Sequence, residues 1–147
     1  MKKYFIFGLH ENYTSKNVLD NLKNLEDQIN FNTYDEISIR KEKNFNSELT
    51  KALEFIKPEP FGIEIDLDAI PNIPSSAMTL SGFSVEELRH FINHFGKHKN
   101  AKYIHICEGA PELGDDKNSH LIGKLIGYLV TDFIKSKREV IASNGKN

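Results

Sequence analysis

The sequence predicts an α/β fold: a mainly parallel sheet with helices on both faces, in three layers. Three observations carry that expectation. Short apolar runs rich in β-branched and aromatic residues recur at 4–9, 61–67 and 101–107. The segments between them repeat apolar residues at helical spacing. Strand and helix patterns alternate four times, the order expected when crossover helices join parallel strands.

Taken in order, YFIFGL at 4–9 reads as a strand buried on both faces. Thr14 or Ser15 then caps a helix with Val18, Leu22, Leu25 and Ile29 on one stripe. Residues 31–34 read as a second strand, and 37–39 as a short third. Ser47 opens a helix carrying Leu49, Ala52, Leu53 and Ile56, which Pro58 and Pro60 end. The next strand, 61–67, runs into Asp66 and Asp68. A loop with Pro71 and Pro74 follows, closed by Gly82, and Ser84 caps a helix burying Val85, Leu88, Phe91, Ile92 and Phe95. The strand 101–107 breaks at Glu108-Gly109-Ala110-Pro111. The last helix, 120–135, turns a wide apolar face through Leu121, Leu125, Leu129 and Phe133, and its Gly123 and Gly127 are expected to allow close packing. The expected organisation is one domain over residues 1–135 and a polar, frayed tail over 136–147.

With 147 residues, 39% hydrophobic and 27% charged, the chain suits one domain with a core of its own. A formal charge of -2 gives no electrostatic reason to expect nucleic acid or an anionic membrane as partner. Cys107 is the single cysteine, so no internal disulfide forms. The apolar run after Lys2 and Lys3 breaks at Gly8, too soon for a signal peptide, and nothing is long enough to span a bilayer. A cytoplasmic protein is expected.

The candidate chemistry lies where strands end. In open parallel sheets ligands bind beyond the carboxyl ends of the strands, and both acidic breaks, Asp66/Asp68 and Glu108, fall there. Residues i and i+2 of a strand share a face, so Asp66 and Asp68 can converge as hard oxygen ligands for magnesium, calcium or manganese; the bland alternative is a solvated pair capping backbone amides. Glu64 has the same parity and needs a partner or a wet edge. Glu108 can grip a cationic substrate group, or be an ordinary loop acid. Cys107 has no basic neighbour to activate it and reads as a buried, inert thiol, with His105 packed beside it. His90, His94 and His98 recur at four-residue spacing, which can chelate zinc, but they project away from the apolar stripe and read as a solvated face.

These motifs resemble the manganese ureohydrolases: arginase, agmatinase and formimidoylglutamase. IEIDLDAIPNIPSSA is similar to their late metal motif, HICEGAP to their strand-end glutamate motif, and LSGFSVEELRHFI to the Gly-containing loop and helix between. The resemblance implies that Asp66 and Asp68 ligate Mn2+, two ions per complete site, and that Glu108 holds the amidine or guanidine of a small substrate. It implies an arginase-like fold, present here as its carboxyl-terminal part. The Ile70-Pro71 step is closest to formimidoylglutamase, which hydrolyses N-formimino-L-glutamate to glutamate and formamide. Two departures stand out. Glu64 replaces the usual Ser or Thr, and the earlier metal motifs, Gly-Gly-Asp-His and Asp-x-His-x-Asp, are absent from residues 1–147. The missing amino-terminal half of the enzyme is then an expected partner, a homo-oligomer is another, and the isolated chain is expected to be inactive. The rival readings are a non-catalytic, metal-binding partner subunit of a split enzyme and a receiver-like magnesium domain. The latter lacks an acidic pair after the first strand.

Overall fold

The computed structural model describes residues 2–114 and 119–144. They divide after Glu59 into two compact units, each with one two-stranded parallel sheet. Every strand pairing is therefore parallel, as the alternation of elements predicts.

In the first unit β1 (Tyr4–Leu9) pairs with β2 (Ile29–Thr33), and α1 (Lys16–Lys23) joins them. Ser15 caps α1 by accepting from the Val18 amide at 3.4 Å. The ladder slips between Ile6 and Leu9, where Gly8 takes φ 78°. That conformation favours glycine, which has no Cβ to clash. It aims the Gly8 amide at the fully buried Asn32, whose Oδ1 accepts it at 2.7 Å. Asn32 donates onward to Glu48 of α2 (Phe45–Ile56) at 3.0 Å, so one satisfied polar chain ties both strands to the helix. Asn44, three residues before Ser47, is the cap of α2.

Three details of this unit differ from the sequence pattern. The residues of β1 are mostly half-buried. The α1 stripe is largely wet, with Val18 and Leu25 both exposed. Residues 37–39 are no strand but the end of a π-helical turn, Asp35–Ile39. There Thr33 and Glu36 exchange hydrogen bonds, Thr33 N to Glu36 Oε2 at 3.0 Å and Glu36 N to Thr33 Oγ1 at 3.1 Å. This local exchange turns the backbone before a ladder can continue.

The second unit pairs β3 (Phe61–Asp66) with β4 (Ala101–Cys107) in a register that sets Glu64 opposite His105 and Asp66 opposite Cys107. Alternation buries Ile63 and Ile65 on one face, while Glu64 and Asp66 on the other are exposed. Ser84 starts α3 (Val85–Gly96) with a capping box, its hydroxyl accepting from Glu87 N and the Glu87 carboxylate accepting from Ser84 N.

The final helix, α4 (Ser119–Asn144), runs past the boundary expected at residue 135. Its polar residues find partners around α3. Asp132 takes both a 2.6 Å and a 3.2 Å hydrogen bond from Arg89, Lys137 donates to the His98 carbonyl at 2.7 Å, and Lys97 meets Glu139 at 3.2 Å. The buried stripe is Ile122, Leu125, Leu129 and Ser136, and Leu121 lies outside it. Gly123 and Gly127 face open space, so they are not the close-packing pair. That role falls to Gly96 on α3, where an added Cβ would stand 2.9 Å from the Ser136 Cβ. No helix among the described residues is long and apolar enough to cross a membrane.

Two glycines on neighbouring helices should therefore respond in opposite directions. Gly96→Val is expected to destabilise by about 1–3 kcal/mol through overpacking. Gly123→Ala should stabilise by up to about 1 kcal/mol through helix propensity. Thermal unfolding of both variants checks this; equal shifts would refute the assigned contact.

Candidate metal centre

The apolar run of β3 ends because Asp66 turns its own chain. Its Oδ1 accepts the Asp68 amide at 2.9 Å and caps a single 3-10 turn, Leu67–Ala69, whose Leu67 is fully buried. Asp68 then anchors the returning loop, its Oδ1 accepting the Ala77 amide at 3.1 Å. The Ala69 carbonyl accepts from Phe83 N at 3.1 Å, and Gly82 lies so close to it that a Cβ would collide. The proline-containing loop is thus folded back onto the turn that carries both aspartates.

Glu108 follows β4 directly with φ 65°, a left-handed conformation uncommon for a residue with a Cβ. Its neighbours are held on either side. Gly109 bridges Ser75, the Ala110 amide donates to the Pro74 carbonyl at 3.0 Å, and Gly109 sits against Leu67 and Ile122. Backbone strain held in place by surrounding contacts is a feature of functional sites. Ser76 joins the two acidic ends: its hydroxyl donates to Glu108 Oε2 at 2.6 Å and lies 3.4 Å from Asp68 Oδ2. A hydroxyl has one proton, so the short bond to Glu108 takes it and the Asp68 contact is proximity.

Asp66, Asp68 and Glu108 are therefore collected at one end of the β3–β4 ribbon, as their strand-end positions predict. Among the described residues none of the three forms an ion pair with a lysine or arginine. Burial raises the Asp66 carboxyl above its ordinary value, and the charges of Asp68, Glu108 and Glu64 push it further, against the Asp68 amide bond. An all-oxygen donor set whose members repel one another fits a hard divalent cation such as manganese. The same burial and carboxylates raise the Cys107 thiol, which donates to the Ile65 carbonyl at 3.5 Å.

Other candidates are placed differently. Glu64 is exposed, so its edge is wet. His105 is exposed as well, not packed, because the face it shares with Cys107 is open; its Nδ1 lies 3.9 Å from Glu64 Oε1. The three histidines of 90–98 do not form one face. His90 is exposed, whereas His94 and His98 are half-buried, His94 edge-on to Phe95 and His98 against Phe61 at 5.9 Å. His98 Nδ1 also accepts from Asn100 N at 3.2 Å. Ser76 carries no spacing signal in the sequence, because its contact with Glu108 spans 32 residues.

No protein-family model matches the sequence, and no curated protein matches it. Solved structures do match. Formimidoylglutamase from Bacillus subtilis subsp. subtilis str. 168 superposes with a TM-score of 0.75 at 18% identity, over 90% of this chain and 40% of that one. Trypanosoma cruzi formiminoglutamase, solved with Mn2+ at pH 8.5, gives 0.74 at 14% identity over 92% and 44%. A hypothetical agmatinase from Burkholderia thailandensis gives 0.71 at 14% identity over 97% and 41%. The chain has part of the fold of these arginase-type structures and spans less than half the length of each.

In metal-free protein the raised Asp66 carboxyl sets a pH dependence. A carboxyl whose pKa is higher folded than unfolded binds its proton more tightly when folded, so stability falls as pH rises through that window. Asp66→Asn retains an oxygen to accept the Asp68 amide but removes the charge. It should raise the melting temperature at neutral pH, with the gain vanishing below the ordinary aspartate value of about 3.9. Thermal melts across pH in chelator check this; a gain that grows toward acid would contradict it.

Proposed function

We propose that this chain supplies part of the two-manganese centre of a linear-amidine hydrolase, with N-formimino-L-glutamate the favoured substrate. The observation that carries the reading is the gathering of Asp66, Asp68 and Glu108 at the carboxyl ends of two paired parallel strands, with no lysine or arginine paired to them among the described residues. The likeness of the fold to formimidoylglutamase and agmatinase structures supports it, as do the DLD and CEGAP motifs.

In this reading Asp66 and Asp68 are manganese ligands through the oxygens left over from capping. Bound manganese supplies a nucleophile near neutral pH by lowering the pKa of water. Glu108 accepts hydrogen bonds from the planar amidinium, a charge-assisted and bidentate arrangement that orients the carbon to be attacked. Ser76, donating to Glu108 Oε2, takes one lone pair of that oxygen and holds the carboxylate in place. Addition of water to the amidine carbon and cleavage of its bond to the glutamate nitrogen release formamide and glutamate. Two aspartates do not complete two manganese coordination spheres. The remaining ligands would come from residues other than those of this sequence, of the kind that the Gly-Gly-Asp-His and Asp-x-His-x-Asp motifs supply in the family it resembles.

Manganese titrated calorimetrically into the full chain should bind weakly, with Asp66→Asn and Asp68→Asn each abolishing the heat. Weak binding indifferent to both substitutions would sink the assignment. In an assembly that releases formamide, Glu108→Gln should lower kcat/KM about 10- to 100-fold, the worth of one charged hydrogen bond, with manganese content unchanged.

A further inference from the structure

The open face of the β3–β4 ribbon carries a second donor cluster, chemically unlike the first. Glu64 and His105 are cross-strand partners, and Cys107 follows His105 by two residues, so all three project from the same face. One carboxylate oxygen, one imidazole nitrogen and the Cys107 sulfur lie within 4.8 Å of one another. Glu64 and His105 are exposed and Cys107 is half-buried, which leaves the cluster reachable from solvent.

We infer that Glu64, His105 and Cys107 form a binding site for a zinc-class divalent cation, separate from the manganese site proposed on Asp66 and Asp68. Donor chemistry decides the class of ion. Thiolate and imidazole select zinc and its neighbours, whereas manganese, magnesium and calcium favour oxygen sets. Three protein donors with one open position is also the pattern of accessible zinc sites. Geometry allows it: bonds of about 2.0–2.3 Å put tetrahedral donors about 3.5 Å apart. The 3.9 Å between His105 Nδ1 and Glu64 Oε1 is already close to that. Cys107 would release its thiol proton to solvent and give up its 3.5 Å hydrogen bond to the Ile65 carbonyl. Nothing in a linear motif marks this site, because Glu64 and His105 are 41 positions apart and meet only through strand register.

Cobalt titrated into the reduced, metal-free 147-residue chain is the test, since cobalt reports a thiolate ligand by a charge-transfer band in the near ultraviolet. The band should saturate at one cobalt per chain. Glu64→Gln and His105→Ala should each weaken the apparent affinity at least about tenfold, and Asp68→Asn should leave it unchanged. Both weakening substitutions are at exposed positions, and circular dichroism checks that each variant is folded. Absence of the band in the unmodified chain overturns the inference. So does a band of equal affinity in Glu64→Gln and His105→Ala, which would mark a solitary thiol, or saturation at half a cobalt per chain, which would place the ion between two copies.

Discussion

The parallel register of β3 against β4 is the constraint on which the candidate chemistry depends. It sets Asp66 beside Cys107 and Glu64 beside His105, and it ends both strands at the same level, so that Glu108 emerges near the turn made by Asp66 and Asp68. A slip of one residue in either strand would turn these side chains to the face occupied by Ile63 and Ile65 and expose the isoleucines instead. Burial of those apolar residues therefore also positions the acids. The hydrophobic face holds the register, and the register holds the site.

Around that ribbon the chain uses backbone hydrogen bonds to immobilise charges that repel one another. Asp66 and Asp68 each spend an oxygen on an amide, Glu108 accepts a hydrogen bond from the Ser76 hydroxyl, and the backbone at Glu108 is fixed through Gly109 and Ala110. Burial, and then the neighbouring carboxylates, raise the Asp66 carboxyl and make its charged form costly. A cation bound as proposed would offset that repulsion, and the caps would leave little ordering to be done on binding. Conflict of this kind between local electrostatics and the rest of the fold is characteristic of functional sites.

The first unit solves a different problem. Its strands are short and only partly buried, and a polar chain through Gly8, Asn32 and Glu48 ties them to α2 in addition to the buried Ile37, Leu49 and Ala52. Such a network specifies one arrangement because a shift of either strand would strand a buried donor or acceptor. The bidentate pairing of Arg40 with Glu11 at 2.8 and 2.9 Å adds a further tie on the surface. Being partly exposed, that pair contributes orientation more than stability.

Most elements and the acidic strand ends were legible in the sequence, because both are written in local patterns. Alternation marks strands, Ser84 and Glu87 mark a helix start, and an aspartate pair after an apolar run marks a strand end wherever it lies in space. What escaped is what depends on neighbours distant in the chain. The polar residues after 135 look like a tail until Lys97 and the His98 carbonyl provide partners, and Gly123 and Gly127 look like a packing motif until Gly96 and Ser136 prove to be the contact. His105 passed for a packed residue because periodicity gives its parity but not whether that face is covered. The sequence by itself determined the strand ends and the acids they carry. Only the tertiary structure decided which side chains meet there, Ser76 with Glu108 and Glu64 with His105 and Cys107, because cross-strand register and loop closure are set by the packing of the whole unit.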